Sequence, residues 1–206
     1  MADATCKICR RAGEKLFLKG EKCFTAACVF NKRPHAPGKL ATERKHRSVV
    51  SEYGKQLREK QKVRNIYGLS EHQFQTYVKD VVGRAKNPSE ALLEKLESRL
   101  DNVVYRLGLA VSRPLARQMV VHGHIVVNGR HVNVPSYMTK TGDVVTIREG
   151  SRTSALFKDL EEKMKNHHAP SWVSFDPKKG EGKVVSKPKA GDTLFNLGSV
   201  LEFYSR

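Results

Sequence analysis

The chain has 206 residues and a formal net charge of +17, with 39% hydrophobic and 29% charged residues. That length fits one large domain or two small ones, with enough apolar material for a real but lean core. No apolar run approaches the ~18 residues of a membrane span, and the start, Met1-Ala-Asp-Ala-Thr, lacks the basic and apolar regions of a secretory signal.

All four cysteines fall in the first 28 residues: Cys6 and Cys9, then Cys23 and Cys28. The pairs read C-x2-C and C-x4-C, with 13 residues between them. Thiolates at such spacings can close on one tetrahedral ion, each short pair bending back to present two sulfurs. A reduced compartment argues against two disulfides. Between the pairs, Leu16-Phe17-Leu18-Lys19-Gly20 is too short for a core, so metal binding is expected to supply folding energy there. Four thiolates suit a zinc ion or an iron–sulfur cluster equally in ligand type.

Residues 31–42, with two prolines and a glycine, read as an extended basic loop. Residues 43–66 look helical and highly charged, with Tyr53, Leu57 and Val63 as sparse apolar positions. Arg44, Lys45, Arg47, Lys55, Arg58, Lys60, Lys62 and Arg64 make this a phosphate-facing helix, against the plainer reading of a solvated one. Ser70 caps a further helix whose Phe74, Tyr77, Val78, Val81 and Val82 have core spacing. Ser89 caps another, running from Leu92 through Leu107 and ended by Gly108.

Ser112-Arg113-Pro114 opens a helix with Leu115, Met119 and Val120 on its apolar face, stopped by Gly123. His124–Val127 reads as a strand, Asn128-Gly129 as a tight hairpin turn and Arg130–Val134 as the return. Val144–Ile147 is a third strand. A helix is expected over 155–166, then strands at Trp172 and Phe175, at Val184-Val185 and at 200–204, with 178–183 a loop. Trp172 reads as core, Met119 as core filler, and His167-His168 as a loop pair. The fold class is α+β: a helical, metal-clipped N-terminal region over 1–92, then a helix-loop-helix on a small antiparallel sheet over 93–206, with its core at 96–149.

The charge is uneven. Residues 1–68 hold 17 Lys and Arg against 6 Asp and Glu, which points to a polyanion partner. Arg113 and Arg117 lie four apart, hence on one helix face, and arginine forks match phosphate oxygens. His124 and the amides near Asn128-Gly129 follow directly. The alternative is ion pairing of the two arginines with Glu97 or Asp101. No P-loop, H-E-x-x-H or G-x-S-x-G occurs, so neither an enzyme nor a small-molecule substrate is expected.

Glu97-Ser-Arg-Leu-Asp-Asn-Val-Val-Tyr-Arg-Leu-Gly108, Ser112-Arg113 with Ala116-Arg-Gln118, and Val121-His-Gly-His-Ile-Val-Val-Asn-Gly129 resemble the RNA-binding module named after small-subunit ribosomal protein S-four. Gly20-Glu-Lys-Cys23, Ser51 through Lys62, Ile66-Tyr-Gly-Leu-Ser70 and the ending Val200–Arg206 resemble the ribosomal protein family itself, in its four-cysteine, metal-binding bacterial variety. The resemblance implies a primary binder of small-subunit ribosomal RNA that nucleates assembly. It implies a cytoplasmic place in the small subunit near the messenger RNA entry channel, beside ribosomal proteins S-five and S-three, with messenger RNA as a further partner and an influence on accuracy. It carries RNA contact to Arg106, Arg113, Arg117 and His124 and to the basic helix from Arg44 to Arg64. Two stretches depart from the family pattern, 39–42 and 187–192.

Overall fold

The structure, a computed structural model, describes residues 2–38, 50–154, 156–157, 167–176, 180–188 and 195–205. Arg44, Lys45, Arg47, the expected helix at 155–166 and most of the two diverging stretches lie outside the described residues. The chain forms two compact units, Met1–Ser89 with Leu194–Arg206, and Glu90–Thr193.

The first unit is helical: α1 (Ala2–Ala12), a 3-10 turn (Gly20–Cys23), α2 (Val29–Lys32), α3 (Glu52–Ile66) and α4 (Glu71–Val82). Ser51 and Ser70 cap α3 and α4, each side-chain oxygen accepting a backbone N–H 3.2 Å away. Phe74, Val78 and Val81 on α4 are buried, as their spacing demands. The inner face of α3 is harder to read, because it buries Gln56 and Lys60 as well as Val63 and Ile66. Lys60, expected among the phosphate-facing residues, is instead buried: one face of α3 is core, and half of that face is polar.

The last helix, written α8 (Leu197–Tyr204), corrects the strand expected at 200–204. Asn196 caps it, its side chain accepting from Ser199 N at 3.1 Å. Leu197 and Val200 are buried, and the helix lies against α3 and α4. The tail thus belongs with the first unit rather than with the sheet.

The second unit contains nearly all of α5 (Pro88–Glu97), then α6 (Leu100–Arg106), α7 (Arg113–Val121) and a five-stranded sheet. One continuous helix was expected from Leu92 to Leu107. The chain instead breaks at Ser98-Arg99, where Arg99 is extended and bridges Met138. Ser98 O accepts both Thr139 N (2.8 Å) and Thr139 Oγ1 (2.9 Å), and Tyr137 O accepts Leu100 N (2.8 Å). A distant loop therefore takes over the backbone groups that a continuous helix would pair internally.

The strands are β1 (Ile125–Val127), β2 (Arg130–His131), β3 (Val144–Ile147), β4 (Val173–Asp176) and β5 (Glu181–Val184), ordered β2-β1-β3-β5-β4 and all antiparallel. Asn128 and Gly129 both have positive φ (50° and 76°), as the two-residue hairpin between β1 and β2 needs. β2 is shorter than expected, and β5 starts at Glu181, inside the stretch read as loop. Leu100, Val103, Val104, Leu107, Ala116, Met119 and Val120 pack on Ile125, Val127, Val145, Trp172 and Val184. Trp172 is a core residue, 3% exposed. β5 approaches α6 closely at Gly182, where a Cβ would stand 2.7 Å from Leu107 Cδ2.

Candidate RNA-binding surface

The break before α6 brings four arginines onto two carboxylates. Arg99, wholly buried, makes a bidentate pair with Asp101: Nε to Oδ1 at 3.0 Å and Nη2 to Oδ2 at 2.7 Å. Arg106 does the same with Glu97, at 2.8 Å for each bond. Arg113 donates from Nε to Asn102 Oδ1 (2.8 Å), lies 4.5 Å from the Tyr105 ring centre and 3.9 Å from Glu97. Arg117 sits 3.5 Å from Asp101 Oδ2. Asn102 ties the set together, donating to the Glu97 carboxylate at 2.7 Å.

The ion pairing foreseen as the alternative for Arg113 and Arg117 is thus present. It does not bury them. Their side chains keep 17% and 43% exposure, and Arg106 keeps 20%, whereas Glu97 and Asp101 are sunk to 2% and 6%. Among the described residues, four guanidinium groups meet two carboxylates. The cluster's geometry is fixed from below by buried acceptors, while the cationic edge faces solvent.

The other expected contacts are distributed differently. His124 Nδ1 is 2.9 Å from Ser151 Oγ, with its ring parallel to His122 at 6.2 Å. Asn128 is occupied locally: its Nδ2 donates to Asp143 (2.8 Å), its Oδ1 accepts Val144 N (2.8 Å), and its own N–H donates to Val144 O (2.9 Å). It anchors the hairpin to β3 and remains exposed there. On α3, Lys55 pairs with Glu52 (3.1 Å), Lys62 with Glu14 (2.9 Å) and Arg64 with Glu71 (3.1 Å), while Arg58 is exposed.

Arg99 and Asn102 complete this cluster, and the sequence did not single them out. The one signal was an Arg–Asp pair two apart within an apolar stretch, which helix periodicity does not single out.

In the N-terminal module, Cys6 and Cys9 are three apart on α1 rather than in a bent knuckle; Cys23 ends the 3-10 turn and Cys28 precedes α2. All four line one small cavity of about 10 Å³. Burial pushes the Cys9 thiol up; a backbone hydrogen bond at Leu16 opposes this, and Cys23, Cys6 and Cys28 push it up further. Among the described residues no group of three or more His, Cys, Asp or Glu is arranged to hold a metal ion. The four thiols share one cavity and are donors of the kind a thiophilic ion takes, and such an ion would favour the deprotonated form that crowding disfavours.

Among the described residues no helix is long and apolar enough to cross a membrane. Residues 1–97 match the family described as the ribosomal protein S4/S9 N-terminal domain, and residues 98–145 match the S4 domain. The chain is 48% identical over 206 residues to the small ribosomal subunit protein uS4 of Ruminiclostridium cellulolyticum, covering 99% of this chain and 98% of that one. It is 48% identical to uS4A of Alkaliphilus metalliredigens with the same coverage. It is 45% identical over 204 residues to uS4 of Thermotoga petrophila, covering 98% of this chain and 96% of that one. With similarity of this degree along almost its whole length, the chain belongs to the uS4 family of small ribosomal subunit proteins.

Proposed function

We propose that the chain grips small-subunit ribosomal RNA through the arginine cluster on α6 and α7, as a structural and non-enzymatic constituent of that subunit. The carrying observation is that Arg106, Arg113 and Arg117 are held from beneath by Glu97, Asp101 and Asn102 while remaining partly exposed. Cations at the surface neutralise phosphates and release counterions, and a rigid array selects RNA by shape. The family supports the wider reading: a primary binder that nucleates assembly near the messenger RNA entry channel, beside ribosomal proteins S-five and S-three, and that contributes to accuracy. Arg58 on α3 is a further exposed cation, and Arg44, Lys45 and Arg47, which precede that helix in the sequence, are candidates for the same role.

Affinity for a junction RNA should fall steeply with salt. Replacing Arg113 and Arg117 together by Ala should weaken binding by roughly ten- to a hundredfold and flatten the log–log salt slope by about two. Filter binding across a salt series, with thermal melts to confirm folding, measures both. An unchanged slope would remove these residues from the interface.

For the cysteine module the proposal is one zinc ion, or an iron–sulfur cluster, held by Cys6, Cys9, Cys23 and Cys28 as a structural clip. Bound there, the ion supplies cross-linking and folding energy to a segment with little core of its own. Replacing Cys6 and Cys9 by Ser should abolish metal uptake and lower hydrogen-exchange protection of α1. Metal analysis and the visible spectrum of anaerobically purified protein identify the ion. Intact protection in the metal-free variant would count against the clip.

A further inference from the structure

Beside the cysteine cavity, two phenylalanines stack in the open. The Phe17 and Phe24 rings are 4.8 Å apart at 27°. Phe24 is 75% exposed, the largest value among the exposed large hydrophobics described, and Phe17 is 42% exposed. Phe17 lies between Leu16 and Leu18, both buried at 6%. The chain therefore sends two leucines inward and turns the largest of the three side chains out. Phe17 also has φ of +51°, a conformation that bulky residues rarely adopt. Tight turns hold the backbone at both residues: Gly20 N donates to Phe17 O at 3.2 Å, and Phe24 N to Glu21 O at 3.0 Å.

An exposed aromatic pair held in a strained turn calls for an occupant, and the local charge says which. Residues 2–38 carry eight Lys and Arg against three Asp and Glu. Such a field gathers polyanions. Aromatic faces amid basic side chains are how proteins receive unpaired bases, whatever the base, because every base has a π-face. We propose that Phe17 and Phe24 form a stacking platform for an unpaired base of the RNA the chain binds. This rests on the RNA-binding reading, but it uses a different part of the molecule and different physics from the arginine cluster.

Stacking adds affinity without releasing counterions, so its signature differs from that of a phosphate contact. The probe is a small-subunit ribosomal RNA junction fragment with 2-aminopurine at its unpaired positions, titrated with the full chain. Phe24→Ala should lower affinity by about tenfold or more with the salt slope unchanged. At one labelled position it should also abolish the fluorescence quenching caused by the wild-type chain. Phe24→Tyr should keep both affinity and quenching. Phe24→Leu keeps an apolar side chain without a ring and should behave like Phe24→Ala.

Full affinity in Phe24→Leu would overturn the proposal, because the contact would then be generically apolar and suited to a protein surface. Full affinity in Phe24→Ala would overturn it as well. Should the alanine variant not fold, the tyrosine and leucine variants decide alone. Failure here with a normal response of Arg113→Ala plus Arg117→Ala leaves the arginine grip standing. A flat salt slope in the wild-type chain would sink the arginine grip alone, and no affinity of that chain for the junction RNA would sink both.

Discussion

Asp101→Asn is expected to destabilise the second unit by about 3–5 kcal/mol, because it removes the carboxylate charge paired with a wholly buried guanidinium. Arg99 is inaccessible and Asp101 nearly so, at 0% and 6% side-chain exposure. The new amide would turn an N–H₂ toward Arg99 Nη2, replacing a 2.7 Å charge-assisted bond by two opposed donors. Trp172 is the only tryptophan and lies in this unit's core, so its fluorescence follows this unit alone during urea unfolding. For a unit of this size the midpoint of thermal unfolding should fall by roughly 15–30 °C. Replacing both partners, Arg99→Met with Asp101→Leu, should recover much of the loss, since apolar side chains of similar volume carry no desolvation cost. A Trp172 transition within 0.5 kcal/mol of the wild type, a shift on the order of surface substitutions, would show that Arg99 finds adequate partners without Asp101.

That pair also explains why the site was only half legible in the sequence. The spacing of Arg113 and Arg117 put them on one face, and the sequence offered two fates for them, phosphate or carboxylate. The structure shows the second: the carboxylates pair with the arginines and leave them partly exposed. What could not be read was the break at Ser98-Arg99, since it depends on Tyr137, Met138 and Thr139, some forty residues on. Asn128 shows the same limit. Its turn was plain from Asn128-Gly129, but the use of its amide by Asp143 and Val144 depends on strand register.

The same division runs through the fold. The hairpin, α4 and α7 carry local signals, namely an Asn-Gly turn, serine caps and apolar spacing, and these the sequence declares. Two elements whose signals are tertiary went astray. α3 buries Gln56 and Lys60, polar residues that an amphipathic pattern counts as surface. α8 carries Val200, Phe203 and Tyr204, residue types that favour strands. Its helical identity rests on the Asn196 cap and on an inward face at Leu197, Val200 and Tyr204, which pays only once α3 and α4 are there to receive it.

Ending the chain after Asn196 should therefore unravel the first unit rather than trim a tail. α8 buries Leu197 and Val200 and brings Glu202 to Gln56 (3.0 Å) and the Tyr204 hydroxyl to Glu71 (2.7 Å). Losing two buried apolar side chains and two hydrogen bonds costs about 4–8 kcal/mol, comparable to the stability of a small domain. The polar heart of this contact is Lys60, 2.6 Å from Glu71 and 4.7 Å from the Phe203 ring centre. Burial pushes the Glu71 carboxyl up, but hydrogen bonds from Lys60 and Tyr204, with the charges of Lys60 and Arg64, bring it below its usual 4.5. Its stabilisation is thus present above pH 4.5 and is lost as the pH falls below that value. The Tyr204 phenol is lifted well above its usual range, first by burial and then by the ionised Glu71. Its contribution is lost only as the solution becomes alkaline beyond the usual phenol value. Glu71→Gln should cost about 1–2 kcal/mol at neutral pH, moderated by the partial exposure of Glu71. The gap between the variant and the wild type should close as the solution is acidified below pH 4.5. Amide peak intensities of α3 and α4, followed by NMR through urea titrations at several pH values, read the first unit directly. A gap independent of pH would show that the contact works through shape rather than charge, and intact α3 peaks in the truncated chain would show that α8 is dispensable.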